Sequence, residues 1–322
     1  MPAVVAKQRS VTATGRSDCR TGAPTVRSSD ADTADQPGAD RRVTRIDAHQ
    51  HFWSYSPSAF DWIDPDSVLA RDFSPADLMP LLDGAAIDGC IAVQAQQTEA
   101  ETDWLLELAA AHPRIMGVVG WIDLRAGDIA ERLETWSGSS KLVGFRHIVQ
   151  DEPDDDFLLT PDFVRGVRAT VERGLSYDIL VKPRQAIHVR RFCDLVAAGR
   201  STAPRLILDH GAKPDIAHGG WQPWADAIAD MAQVPSLYCK ISGLVTEADH
   251  ATWTADQIAR YLDHLLACFR PDRLIFGSDW PVCRLAAEYR QVVDLIDGFV
   301  TRACPEARDA IFGGNARAAY GV

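Results

Sequence analysis

The chain has 322 residues, 33 Lys plus Arg against 45 Asp plus Glu for a formal net charge of −12, and 46% apolar residues. That length and composition suit a globular protein with one large core or two ordinary ones, and exclude a wholly disordered chain. The acidic balance lacks the basic stripe that phosphate binding needs, and no stretch approaches the roughly 20 apolar residues of a membrane span, so neither nucleic acid nor a bilayer is an expected partner.

Residues 1–44 hold seven basic and five acidic residues and no Leu, Ile, Phe, Trp or Tyr, which leaves 26 basic against 40 acidic residues on the remainder. A stretch so poor in apolar side chains cannot offset its ordering entropy, so a disordered low-complexity extension is expected over 1–44 and a single folded domain over 45–322. Residues 3–6 are too short a run for the apolar core of a signal peptide. Arg41 and Arg42 lead into Val43 and Thr44 rather than an apolar segment, which disfavours an export signal. The seven cysteines, at 19, 90, 193, 239, 268, 283 and 304, are odd in number, scattered and without a CxxC pair. They read as reduced thiols of a cytoplasmic protein.

From Arg45 onward, short apolar runs of strand length alternate with longer segments of helical period. The first strand, 45–51, is followed by a helix that Ser74 and Pro75 start. The second, 90–96, precedes one that Thr98 and Glu101 start. Strands at 116–122 and 142–148 come next, then a helix entered through Thr160 and Pro161 and stopped at Gly174. The fifth strand, 175–181, leads to a helix ending at Gly199, and the sixth and seventh, 205–210 and 237–242, to one that Thr254 and Gln257 start. The eighth, 273–278, precedes helical stretches at 286–300 and 305–320. Eight such units over 278 residues predict an α/β fold, a (β/α)8 TIM barrel, whose usual size is about 250 residues. A doubly wound open sheet would normally carry a Gly-rich turn after its first strand, whereas this strand runs into Gln50, His51, Phe52 and Trp53.

In a barrel, chemistry belongs at the C-terminal ends of the strands. His49 and His51 lie two apart at the end of the first strand, so both imidazoles face one way, and two neutral imidazoles are a natural half of a divalent metal site. Taken alone, such a pair is as readily two hydrogen-bonded histidines. His210 ends the sixth strand and Asp279 follows the eighth; singly these read as a satisfied histidine and a helix cap. Strand parity turns Asp209 away from His210, as a hydrogen-bonding or helix-side residue. Two histidines, a third and an aspartate at one end of one barrel together point to a metal or water-activating site.

The longer strings at these positions carry a resemblance: RIDAHQHFW at 45–53, GFRH at 144–147, LDHGAKP at 208–214, CKISGLVTE at 239–247 and FGSDWP at 276–281. From Arg45 to its end the chain resembles the amidohydrolase superfamily, and within it the sugar-lactonase branch that includes L-fuconolactonases and L-rhamnonolactonases. The resemblance implies His49, His51, His210 and Asp279 as the metal-site positions, with Asp279 handling the proton and His210 and Arg146 assisting catalysis. It implies one divalent ion, zinc. Strand four offers Arg146 and His147, and strand five Tyr177 and Asp178, where binuclear members carry Lys and His, so a second metal is not expected. Relatives that use the same histidines and an Arg without a metal leave metal-free catalysis open.

The expected substrate is a small-molecule sugar lactone, opened to its aldonic acid. Trp53, Trp121, Trp221 and Trp280 fall at or just after strand ends, where flat faces suit sugar rings, with Trp53 and Trp280 favoured for a pocket role over core packing. Gln94, Gln96 and Gln97 offer paired donors and acceptors for hydroxyls. Arg146 and His147 can bond the lactone oxygens, unless Arg146 is spent on a salt bridge to Asp178 or Asp209. Tyr177 is a candidate donor to a substrate hydroxyl, though parity leaves either Tyr177 or Asp178 facing inward. Lys182 and Lys213 read equally as solvated strand-end charges. The acidic run at 151–156 reads as a solvated loop, and Cys239 and Cys283 have no histidine partner and no assigned role. A second enzyme reading, hydrolysis of a pyrone dicarboxylate lactone or decarboxylation of an aromatic acid on the same barrel, would demand several rim cations. A non-catalytic binding barrel would be expected to have lost Asp279 or a histidine.

Overall fold

Eight short parallel strands pair in chain order: β1 Ile46–Gln50, β2 Gly89–Val93, β3 Ile115–Gly120, β4 Leu142–His147, β5 Ser176–Ile179, β6 Leu206–Leu208, β7 Leu237–Ile241 and β8 Leu274–Phe276. This is the computed structural model of the chain, and it describes residues 43–322. The expectation for 1–44 falls, apart from Val43 and Thr44, outside the described residues. Each expected strand is present, and most are trimmed at the C-terminal end, where the chain turns into the loops that bear polar side chains.

The β8–β1 seam closes the barrel through a parallel bridge between Gln50 and Trp280. Backbone bonds from His51 N to Trp280 O at 2.7 Å and from Asp279 N to His49 O at 2.8 Å hold it. Asp47 reinforces it from within, accepting from Ser278 N at 2.8 Å and Ser278 Oγ at 2.6 Å. Burial of that carboxyl pushes its pKa up to about 6 against these hydrogen bonds.

The helices lie outside the strands: α1 Pro75–Gly84, α2 Glu99–Ala111, α3 Ile129–Glu134, α4 Pro161–Glu172, α5 Pro183–Ala186, α6 Val189–Ala197, α7 Trp224–Met231, α8 Ala255–Phe269, α9 Tyr289–Ala303 and α10 Asn315–Tyr320. Their starts follow the cap signals. Thr98 accepts from Glu101 N and Thr254 from Gln257 N, each at 3.2 Å, and Pro75 and Pro161 open α1 and α4. Gly174 and Gly199 take φ of +79° and +73° just beyond α4 and α6, as helix stops require. The expected last helix over 305–320 is broken by a π-type turn at Ala310–Gly314, leaving the short α10.

The main apolar layer lies between strands and helices, and a smaller cluster fills the barrel interior. Ala316, Ala319 and Tyr320 of α10 join that inner cluster beside Ile46, Ile91 and Ile275, so the last helix plugs the N-terminal end of the barrel. In β1 the register slips by one residue between Asp47 and Gln50. Such a bulge re-aims side chains, and here Ala48 belongs to the inner cluster while His49 also reaches the interior.

Candidate active site

At the C-terminal mouth, Asp279 Oδ1 lies 3.5 Å from His51 Nε2, 3.8 Å from His49 Nε2 and 3.9 Å from His210 Nε2. The donor atoms of His49, His210 and Asp279 all lie within 4.8 Å of one another, and all three residues are buried. Ligands held about 2.0–2.1 Å from a tetrahedral ion stand roughly 3.4 Å apart, so the spacing and the N/N/O chemistry fit one divalent ion. His51 joins this trio through Asp279, and its Nδ1 faces the Val93 carbonyl at 2.8 Å, the partner that fixes a ligand's free ring nitrogen. His210 Nδ1 is likewise held by Ser242 Oγ at 2.9 Å.

Two backbone features bring these side chains together. The chain leaves β6 and β8 through left-handed residues, His210 at φ +52° and Asp279 at φ +60°. Two glycines make room. At Gly277 a Cβ would stand 2.7 Å from His49 Cβ, and at Gly243, with φ +65°, one would stand 2.5 Å from His210 Nδ1.

Burial shapes the charges. It drives the His49 and His210 imidazolium forms down, His210 to about 4, and Lys240 adds to the effect at His49. Both rings are therefore neutral and able to ligate at pH 7. Burial opposes ionisation of Asp279, but the His210, His51 and His49 rings around it prevail and hold its carboxyl below the usual carboxylate range. Asp209 is held low against burial by Lys240, His49 and Arg146.

Beneath the trio lies a charge network that parity counting does not find. Lys240, from β7, reaches Asp178 Oδ2 at 2.6 Å, Asp209 Oδ1 at 2.9 Å and His49 Nδ1 at 3.0 Å. Arg146 Nη1 lies 3.1 Å from Asp209 Oδ2 and 3.2 Å from His49 Nε2, and its Nη2 donates to Gln94 O at 2.6 Å. Its Nε, also buried, finds no protein acceptor among the described residues. Asp209 thus faces the interior, in step with Ile207 of the inner cluster, and the left-handed turn at His210 brings the next side chain to the same side. The salt bridge considered for Arg146 is made, and Arg146 still lines the cavity.

That cavity is about 270 Å³, near the small end of ligand sites. Its polar wall includes His51, Arg146, His210, Lys213 and Asp279; its apolar wall includes Trp53, Trp62, Ile148, Leu180 and Val282. Gln150 and Asp151 complete the rim, so the acidic run is more than a solvated loop: Asp151 faces the cavity and Glu152 takes the His147 ring at 2.7 Å.

Other expected contacts do not reach this wall. Tyr177 is fully buried in the helix layer, its ring 5.8 Å from both Phe163 and Phe192, and Asp178 is the inward residue of β5. Trp280 packs edge-on against Phe73 at 5.2 Å, carried under the β1–α1 loop by the turn at Asp279. His147 stacks on Phe157 at 5.0 Å; Trp121 Nε1 donates to its Nδ1 at 3.3 Å, so Nε2 carries the proton offered to Glu152. Gln96 lies outside the lining, its backbone N bound to Glu101 at 2.8 Å, while Gln97 Oε1 accepts from Ile148 N at 2.9 Å. Trp221 packs against Trp224 and Tyr261 on the helices. Lys213 pairs with Glu247 at 2.8 Å. Trp53 reaches the cavity as expected, its Nε1 donating to Arg71 O at 2.9 Å. Trp62, which is half-exposed beside it, carries no strand-end signal and is found only in the structure.

A parallel eight-stranded barrel carries at its strand ends a His/His/Asp group that could hold a metal ion, and the chain belongs to the amidohydrolase family, whose model matches residues 46–322. Among its relatives, the L-fucono-1,5-lactonase of Burkholderia multivorans is 43% identical over 86% of this chain and 96% of that protein. The L-fucono-1,5-lactonase of Burkholderia ambifaria is 35% identical over 84% of this chain and 93% of that protein. The crystal structure of an amidohydrolase from Burkholderia multivorans with bound zinc superposes with a TM-score of 0.81 at 43% identity, covering 86% of this chain and 99% of that one.

Proposed function

We propose that this protein hydrolyses a sugar 1,5-lactone, L-fucono-1,5-lactone first among them, to the aldonate. The observation that carries the reading is the convergence of His49, His51, His210 and Asp279 at the barrel mouth, the last three lining one cavity, in a chain 43% identical to an L-fucono-1,5-lactonase over 96% of that protein.

Asp279, ionised and buried, takes a proton from the attacking water as it adds to the lactone carbonyl. Arg146, with an unspent Nε donor, stands on the same wall to receive the oxyanion. Asp279 then returns the proton to the ring oxygen as the C–O bond breaks, giving the hydroxy acid. His49, His210 and Asp279, with His51 beside them, would hold a single divalent ion, and the zinc-bound relative supports zinc. Such an ion lowers the pKa of bound water to about 7 and polarises the carbonyl. Trp53 and Trp62 would cover the apolar face of the sugar ring.

With two cations on the cavity wall, Arg146 and Lys213, and the second of these paired to Glu247, a dicarboxylate or aromatic acid is the poorer fit. Among the described residues no helix is long and apolar enough to cross a membrane, and the six described cysteines are free. Free thiols support a reducing, cytoplasmic setting. Proton release, followed with a pH indicator across aldonolactones of both ring sizes with chelated and zinc-repleted protein, tests the reading. We expect turnover of a 1,5-lactone that zinc restores after chelation. Silence across the panel would overturn the lactonase reading, and full activity without bound metal would overturn the ion.

A further inference from the structure

We propose that Tyr320, near the end of the chain, is a positioning residue for the active site, acting on His49 through Asp178 and Lys240. The Tyr320 hydroxyl donates to Asp178 Oδ2 at 2.6 Å, the oxygen that also receives Lys240 Nζ at 2.6 Å. The ammonium group stands 2.9 Å from Asp209 Oδ1 and 3.0 Å from His49 Nδ1, and Asp209 Oδ1 is itself 3.3 Å from that ring nitrogen, so Lys240 sets the place of the carboxylate that an Nδ1–H meets when Nε2 faces the trio. Asp178, Asp209, Lys240 and His49 are fully buried, and Tyr320 nearly so.

A lysine stem is flexible, so the place of its Nζ is set by the carboxylates that hold it. Asp209 is fixed independently by Arg146 at 3.1 Å. Asp178 has no such second cation: Ser176 Oγ reaches its Oδ1 only at 3.5 Å, and the Tyr320 hydroxyl is the short donor that shares its Oδ2. Stability alone gives no reason for this arrangement. A barrel interior is ordinarily filled with branched apolar side chains, and replacing buried ion networks by apolar groups is often neutral or stabilising. The network is explained if it serves the imidazole at its upper end. The last helix then does two things: its Ala316 and Ala319 faces plug the barrel, and its tyrosine hydroxyl sets the base of a column that ends at His49.

The inference rests on the lactonase reading for its kinetic arm alone. In Tyr320→Phe the ring still fills the barrel while the hydroxyl is gone. We expect kcat to fall about 10-fold, within the 10–100-fold usual for partners that orient a ligand, with KM little changed. The ring nitrogens of His49 should shift in a long-range 1H–15N spectrum while those of exposed His218 stay in place. Tyr261→Phe, which removes a hydroxyl bonded to Gly220 O at 3.0 Å on the helix layer, should lower Tm and leave kcat and the His49 signals unchanged. If Tyr320→Phe behaves like Tyr261→Phe, the residue is merely structural and the inference is overturned. Should Tyr320→Phe fail to fold, Asp178→Asn must show the same kcat loss and the same His49 shift. Failure of both to fold makes the network a folding element and likewise overturns the positioning role. A wild-type protein inactive on lactones would remove the proposed function, yet the His49 spectra would still decide this inference.

Discussion

His210 and Asp279 occupy the left-handed backbone region at φ +52° and +60°, which costs a non-glycine residue on the order of 1–3 kcal/mol. That two of the four converging residues carry such strain is consistent with selection for geometry over stability. His210 also gives a pH signature. Its folded pKa, pushed by burial to about 4, lies below its ordinary 6.5. Proton uptake therefore favours the unfolded chain, and the contribution is complete above pH 6.5 and lost as pH falls toward 4. The shift corresponds to roughly 3 kcal/mol. In chelated protein, urea melts of His210→Asn should show a shallower loss of stability between pH 6.5 and 4 than wild type. Parallel slopes would contradict a neutral buried His210. The gathering of His49, His51, His210 and Asp279 at one end of the barrel was legible because each lies at or just past a strand end with a side chain whose chemistry is unambiguous. Lys240 was not, because one lysine inside the run CKISG gives no sign of which face it takes. Asp209 is the hydrogen-bonding residue expected, but it shares a side with His210, because parity presumes that a strand continues, and this one ends at Leu208.

At the level of elements, alternation and caps were enough to find eight strands and the helix starts at Pro75, Glu99, Pro161 and Ala255. The loops were not readable in the same way. The side chains of the β1–α1 and β4–α4 loops that reach the cavity, Trp62, Gln150 and Asp151, obey no period. Tyr177 and Trp280 show related limits: within β5 a one-residue error of phase exchanges wall for helix layer, and Trp280 lies past the end of β8, where alternation no longer applies. The β7 exit illustrates how tightly these ends are built. Gly243 takes φ +65°, and a Cβ there would stand 2.5 Å from His210 Nδ1 and 3.1 Å from Asp279 Oδ2. Gly243→Ala should cost about 1–3 kcal/mol in urea unfolding and at least about 10-fold in kcat/KM, through both φ strain and displacement of His210. Unchanged kinetics would mean that the glycine does not shape the site.

For the whole molecule, the family match spans residues 46–322, and we propose one catalytic unit over 45–322. Deleting residues 1–42, which keeps Thr44 where its carbonyl packs against Gly313, should leave Tm and kcat/KM unchanged; a large loss in either would show that the first segment belongs to the working unit. The acidic excess falls on residues 45–322, with 40 acidic against 26 basic. It offers a neutral lactone no attraction and mildly repels the anionic product on release. Composition thus bore on partners, whereas function came from polar groups gathered at one end of the barrel. The most direct measurement compares wild type with Asp279→Asn in the initial rate of proton release from L-fucono-1,5-lactone, each above the rate without protein. Wild type should open the lactone, and Asp279→Asn should be slower by about 10²–10⁴-fold in kcat, the usual contribution of a positioned acid–base group. Near-normal ring opening by Asp279→Asn, or no enzymatic rate from wild type, would contradict a lactone hydrolase in which Asp279 carries the proton.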